Sequence, residues 1–226
     1  YPNARILLWG GLAYCCMVRG SPENVLDFIE KAKAIIQPHT PASVQIEFAH
    51  IACKALTDIQ RHEEAIRFYT QVMELAKEAG LRGAFGRLRA NRGGVAGDCG
   101  NYILALADYE AALAEAILIK DKKVEERARF NLVDTLLDLG AVEEAKNRWI
   151  SFKRDFPAGE TYPYQRNRLL FTEAYINAMS GNYIEAARLW KEAAIGLDQL
   201  KEQTYADRMR FRALASEARH HLRPIN

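Results

Sequence analysis

The chain has 226 residues, 31 basic and 29 acidic, for a formal net charge of +2, so no global field argues for nucleic acid. Hydrophobic residues make up 49% and charged residues 27%, the balance of a globular chain long enough to bury a large core. No apolar run reaches the roughly 18 residues of a membrane span, and ILLWGGLAYCCMV (6–18) has the length of a buried helix.

The first periodic segment, RILLWGGLAYCCMV, is apolar nearly all round. An upstream domain or another chain is therefore expected to pack in front of it, a possible route to a homo-oligomer. Its turn falls at Gly20, before SPENVLDFI. A second unit runs from ASVQIEFAHIACKALTDI into QRHEEAIRFY at Gln60. A third runs from AFGRLRANRGGVAGDC into GNYILALADY at Gly100. VEERARFNLVDTLLDL leads into GAVEEAKNRW at Gly140, and YQRNRLLFTEAYINAMS into GNYIEAARLW at Gly181. The turns recur at intervals of 40, 40, 40 and 41 residues, so the chain is a repeat array. The expected units cover about 6–38, 42–80, 84–121, 124–157 and 163–201. A closing helix over 203–222 presents polar residues outward, and residues 1–226 form one domain.

Five residues after each turn stands a small or aliphatic residue: Val25, Ala65, Ala105, Ala145 and Ala186. Four further on stands a large one: Ile29, Tyr69, Tyr109, Trp149 and Trp190. That spacing places the pair on one helical face, where the small residue admits a neighbouring helix and the large one fills the space beside it. Glycine at four of the five turns fits helices that end in a left-handed residue. Each unit is thus a helix–turn–helix pair, and no strand pattern appears.

These residues resemble tetratricopeptide repeats. Gly93, Gly100, Tyr102, Ala105, Tyr109 and Ala112 match the family's order of small and aromatic residues in the third unit. Trp9, Leu12 and Ala13 match it in the first unit, and Gly181, Tyr183, Ala186, Trp190 and Ala193 in the last. In the tetratricopeptide repeats that this pattern resembles, the slots held here by Arg89 and Arg92 are apolar, and the departure predicts an irregular helix in the third unit or a displaced neighbour. The 40-residue unit is similar to the longer variety found in spindle-orientation adaptors and in the sensor region of the bacterial maltose-regulon activator. The resemblance implies an all-α right-handed superhelix of five helix pairs with a capping helix. It also makes the glycine-rich stretch 86–102 a packing element. That stretch neither follows a strand nor carries the Lys-Ser/Thr of a phosphate loop, so nucleotide binding is not expected.

In such a superhelix the first helix of each pair lines the concave side. Thirteen residues before the turns stand Glu47, Arg87, Arg127 and Arg168, and Arg208 continues the column. Nine before them stand Ile51, Asn91, Asn131 and Thr172, continued by Arg212. Between the columns lie His50, Phe130, Phe171 and Phe211, and further along Tyr14, Lys54, Asp134 and Tyr175. Asn donates and accepts at once, Arg grips carboxylates with a planar fork, and Phe offers apolar contact at little entropic cost. RARFN (127–131) is similar to the adaptor groove that holds extended acidic segments. The expected binding residues are Arg87, Asn91, Arg127, Phe130, Asn131, Asp134, Arg168, Phe171, Tyr175, Arg208, Phe211 and Arg212.

The expected function is a non-enzymatic scaffold that takes an extended acidic protein or peptide segment. Two alternatives stand beside it: the ligand-sensing segment of a larger bacterial regulator or signal-transduction ATPase, and a self-associating array. No Ser/His/Asp, Cys/His or HExxH arrangement assembles, and Glu217 with His220 and His221 lacks metal-ligand spacing, so no cofactor or metal is expected. Direct nucleic-acid and membrane contact are not expected either. Cys15, Cys16, Cys53 and Cys99 read as buried small hydrophobes of a cytoplasmic protein. With no initiator methionine or signal peptide, the chain reads as a piece of a longer protein.

Overall fold

The computed structural model describes residues 2–19, 21–157, 163–200 and 203–221. Gly20, residue 201 at the end of the fifth unit and residue 222 of the closing helix lie outside the described residues. The described residues form eleven α-helices and no strand. They are α1 (Pro2–Val18), α2 (Val25–Lys33), α3 (Ala42–Asp58), α4 (His62–Glu78), α5 (Arg82–Asp98), α6 (Tyr102–Ile119), α7 (Lys122–Asp138), α8 (Val142–Asp155), α9 (Pro163–Met179), α10 (Tyr183–Gln199) and α11 (Gln203–His221).

A half-period of 20 residues underlies the 40-residue repeat. Left-handed residues fall at Gln60, Gly80, Gly100, Lys120 and Gly140, and again at Gly181. Helices of 17 or 18 residues fill the intervals from α3 to α7. Each reversal closes through the same pair of bonds, in which two successive N–H groups beyond the helix reach back to its last carbonyls. Arg61 N–H donates to the Leu56 carbonyl at 2.8 Å, Asn101 to Ala96 at 2.8 Å, Ala141 to Leu136 at 2.9 Å and Asn182 to Asn177 at 2.8 Å. Gln60 and Lys120 carry side chains in a conformation that costs roughly 1 kcal/mol without glycine. Side chains meet helix starts at Asn101, whose Oδ1 accepts from Leu104 N–H, and at Asp121, whose Oδ1 accepts from Val124 N–H, both at 3.2 Å.

Two compact units divide the chain between Leu132 and Val133, within α7. In the first, α1–α2, α3–α4 and α5–α6 pack as hairpins. First helices also meet one another, α1 against α3 and α3 against α5, while α4 packs on α5. Val25, Ala65 and Ala105 are buried beside Ile29, Tyr69 and Tyr109, as the small-then-large spacing predicts. The glycine-rich stretch is regular helix, α5, as far as Asp98, and turns at Gly100. A Cβ on Gly93 would stand 3.0 Å from Tyr109 Cε1 and 3.3 Å from the Ala105 carbonyl oxygen, so the α5–α6 approach requires glycine there.

Two expectations need correction in this unit. Arg89 and Arg92 do not interrupt α5: Arg89 lies over the Phe85 ring at 4.7 Å, with its Nε left without a hydrogen-bond partner, and Arg92 is taken up by Asp108 of α6. The cysteines are not uniformly buried either. Cys53 is, and burial pushes its thiol pKa up, but Cys15 and Cys99 are exposed and Cys16 is half-buried. Cys99 sits just past the end of α5, where the chain turns through solvent.

In the second unit α9 packs on α8 and α10, and α11 lies on α10. Ala145 and Trp149, then Ala186 and Trp190, are buried in the expected slots. Met209 and Ala213 of α11 join Ala174, Trp190 and Ala193 in one core, while α11 turns Arg208, Phe211 and Arg212 outward.

Candidate binding face

The row of first helices in unit 1 brings together residues far apart in the chain. Arg127 of α7 donates from Nη2 to Oδ1 of Asn91 on α5. That bond fixes the sense of the amide, so Asn91 Nδ2 is the donor toward Nδ1 of His50 on α3, 2.9 Å away. His50 therefore accepts at Nδ1 and carries its proton on Nε2. Lys54, one turn further along α3, lies 5.7 Å from the Tyr14 ring centroid on α1. Arg87 is exposed on α5 and Asn131 is half-buried on α7. Arg127 thus reaches back 36 residues to the preceding unit's asparagine. The Asn91 amide keeps one N–H and one lone pair uncommitted in this relay.

Within unit 2, Asp134 accepts from Arg168 Nη2 at 3.3 Å and from Thr172 Oγ1 at 2.9 Å. Burial pushes the Asp134 carboxyl up to about 6, against the opposing pull of Arg168 and the Thr172 hydrogen bond. Phe171 stacks with Tyr175 at 6.4 Å and meets Trp190 edge-on at 5.0 Å. The Arg212 guanidinium lies 4.8 Å from the Phe171 ring and 5.2 Å from the Trp190 ring. Asp207, Arg208, Phe211 and Arg212 line a shallow depression along α11.

One sequence-derived residue differs from its expected setting. Phe130 is buried, with 7% of its surface exposed, whereas Phe211 in the same register is 72% exposed. Phe130 is thus a packing ring rather than an open contact. Sequence reasoning also missed the partner of Arg92. Its Nε and Nη2 donate to the two Asp108 oxygens at 2.7 and 2.8 Å, and Nη1 donates to Thr70 Oγ1 at 2.7 Å. A lone aspartate on the apolar α6 was the available signal. At the α11 terminus Glu217 pairs with Lys191, and the described residues hold no group of three side chains suited to a metal. No helix among them is long and apolar enough to cross a membrane.

No protein-family model matches the sequence, and no curated protein matches it. Solved structures do match. The nearly identical repeats of a Podosopora anserina kinesin light chain superpose with a TM-score of 0.68 at 14% identity, over 89% of this chain and 99% of that one. It has a tetratricopeptide-type repeat fold. Another structure of this tetratricopeptide type is a Rap protein complexed with competence and sporulation factor, with a TM-score of 0.65 at 15% identity over 96% of this chain and 65% of that one. A signal-transduction ATPase with numerous domains and a tetratricopeptide sensor, from Pyrococcus horikoshii, gives 0.65 at 16% identity. That match covers 98% of this chain and 37% of the ATPase.

Proposed function

We propose that the chain is a protein-interaction scaffold that holds an extended, acidic peptide segment along its first helices. The relay of His50, Asn91 and Arg127 carries this reading. An amide fixed from both sides, with one donor and one acceptor left, suits a passing backbone N–H and C=O whatever the side chains. Lys54, Arg87 and Arg127 favour acidic residues beside that backbone. In the second unit the Arg212 guanidinium lies over the Phe171 ring, and Arg208 and Phe211 line the same depression, a pairing of cation and aromatic that suits an acidic segment with apolar residues. The Rap structure offers a precedent for ligand capture on this fold. Four free cysteines suit a reducing, cytoplasmic setting.

Selection from an acidic-biased peptide library tests the proposal on the parent, Asn91→Ala and Arg127→Glu. The parent enriches acidic sequences, and each variant retains them about tenfold less well, the equivalent of one charge-assisted hydrogen bond. Unenriched selection by the parent, or equal retention by both variants, removes the proposal. The likeness to a tetratricopeptide sensor supports a second reading, the ligand-sensing segment of a larger regulator. A phosphate-loop ATPase encoded in the same polypeptide would favour it.

A further inference from the structure

The outward row of α6 breaks the pattern of its neighbour. In α4, positions 3, 7, 10, 14, 17 and 18 after the turn are Glu63, Arg67, Thr70, Glu74, Lys77 and Glu78, all exposed and polar. The same positions in α6 are Ile103, Ala107, Glu110, Ala114, Ile117 and Leu118, also all exposed. At helical spacing they share a sector about 100° wide. Ile103 is 81% exposed and Leu118 63%. No Lys or Arg occurs anywhere in α6, and Asp108 is consumed by Arg92. An apolar stripe of this length on one helix, where the preceding unit has charges, is not needed for the hairpin itself.

The order along the stripe indicates what covers it. Turning the helix end for end about the 110–111 peptide exchanges Ile103 with Leu118, Ala107 with Ala114, and Glu110 with Ala111. Large residues sit at both ends and small ones near the middle, so two antiparallel copies could approach closely at the alanines while each isoleucine meets a leucine. Glu110 would face Ala111 of the other copy rather than a second glutamate, and it is engaged within its own chain. A surface that complements itself under a two-fold rotation is the requirement for an isologous dimer, and a partner of different sequence would need no such symmetry.

We infer that the α6 stripe is a homodimer interface in which two chains pair antiparallel through Ile103, Ala107, Ala114 and Leu118. This is independent of the binding face on the first helices. One helix from each copy buries on the order of 1,000 Å² in all, the low end for a specific interface, so the dimer is weak and concentration-dependent.

Sedimentation velocity of the 226-residue chain over a wide concentration range provides the test, with Ile103→Glu and Leu118→Lys as variants. Both positions are exposed, and an unchanged thermal melt of each monomer confirms that it folds. The parent dimerises on concentration, and each variant alone does so at least about tenfold less well. Mixing the two restores association, because the introduced carboxylate of one chain meets the introduced amine of the other. A parent that stays monomeric overturns the inference, as does a parent dimer indifferent to Ile103→Glu. Failure of the mixture to associate overturns the antiparallel register.

Discussion

The same arginine–aspartate chemistry occurs in two settings. In the α5–α6 hairpin, Arg92 closes a two-pronged contact on Asp108, with side chains only 16% and 4% exposed, and spends a third donor on Thr70. Between α7 and α9, Arg168 touches one oxygen of Asp134 at 3.3 Å, with side chains 43% and 34% exposed. The Arg92 side chain is enclosed by a contact between helices that glycine and alanine bring close. Arg168 stands on a face that water reaches. A cation in an apolar slot of the repeat is therefore part of the packing when a carboxylate from the partner helix meets it.

The difference is largest in stability. Arg92→Ala strands the Asp108 carboxylate in a buried site and is expected to cost about 3 kcal/mol. Arg168→Ala loosens an exposed pair and is expected to cost less than about 1 kcal/mol. Urea denaturation of both variants measures the gap. Equal costs would erase the distinction and return Arg92 to the set of surface ion pairs.

A second test probes how close the α5–α6 approach is. Gly93→Ala drives a methyl group into Tyr109 Cε1 and the Ala105 carbonyl. Overpacking then outweighs the gain in helix propensity, for a net loss of about 1 kcal/mol. At Gly94 the nearest atom is Tyr109 Oη, 3.6 Å away, which is ordinary contact. Gly94→Ala is therefore expected to stabilise by roughly 0.5 kcal/mol. Thermal melts of the two adjacent variants should shift in opposite directions. A stabilising Gly93→Ala would mean that the two helices of the hairpin stand further apart at this crossing.

Much of the fold was legible because its signals are local. A turn glycine and a small residue four before an aromatic are written in adjacent letters, and the turns they mark at Gly100, Gly140 and Gly181 are left-handed, as is the one at Gln60. The 20-residue half-period was not legible. Lys120 turns left-handed without glycine, and nothing in its own letters marks that. The candidate site was legible as columns but not as contacts. Asn91 and Arg127 could be named from their register, yet their pairing across 36 residues depends on how first helices stack. Phe130 and Phe211 share a register and differ in burial because periodicity gives a side chain's direction, not what covers it. Asp108 went unnoticed for the same reason: its partner lies across a hairpin.

The smallest expected effect concerns pH and the open pair. Burial raises the Asp134 carboxyl in the folded chain to about 6, so the folded state holds that proton more tightly than the unfolded state does. The associated stability is fully present below the ordinary carboxylate pKa of about 3.9, is lost as pH rises through about 6, and stays lost above it. A third of the side chain meets water, so screening reduces the loss to about 1 kcal/mol or less. Asp134→Asn keeps an oxygen for Arg168 and Thr172 but cannot ionise. The expected result is a urea midpoint that falls between about pH 4 and about pH 7 more steeply in the parent than in the variant. Parallel profiles would show that Asp134 titrates as an ordinary surface acid, and the α7–α9 pair would then keep its charge from about pH 5 upward.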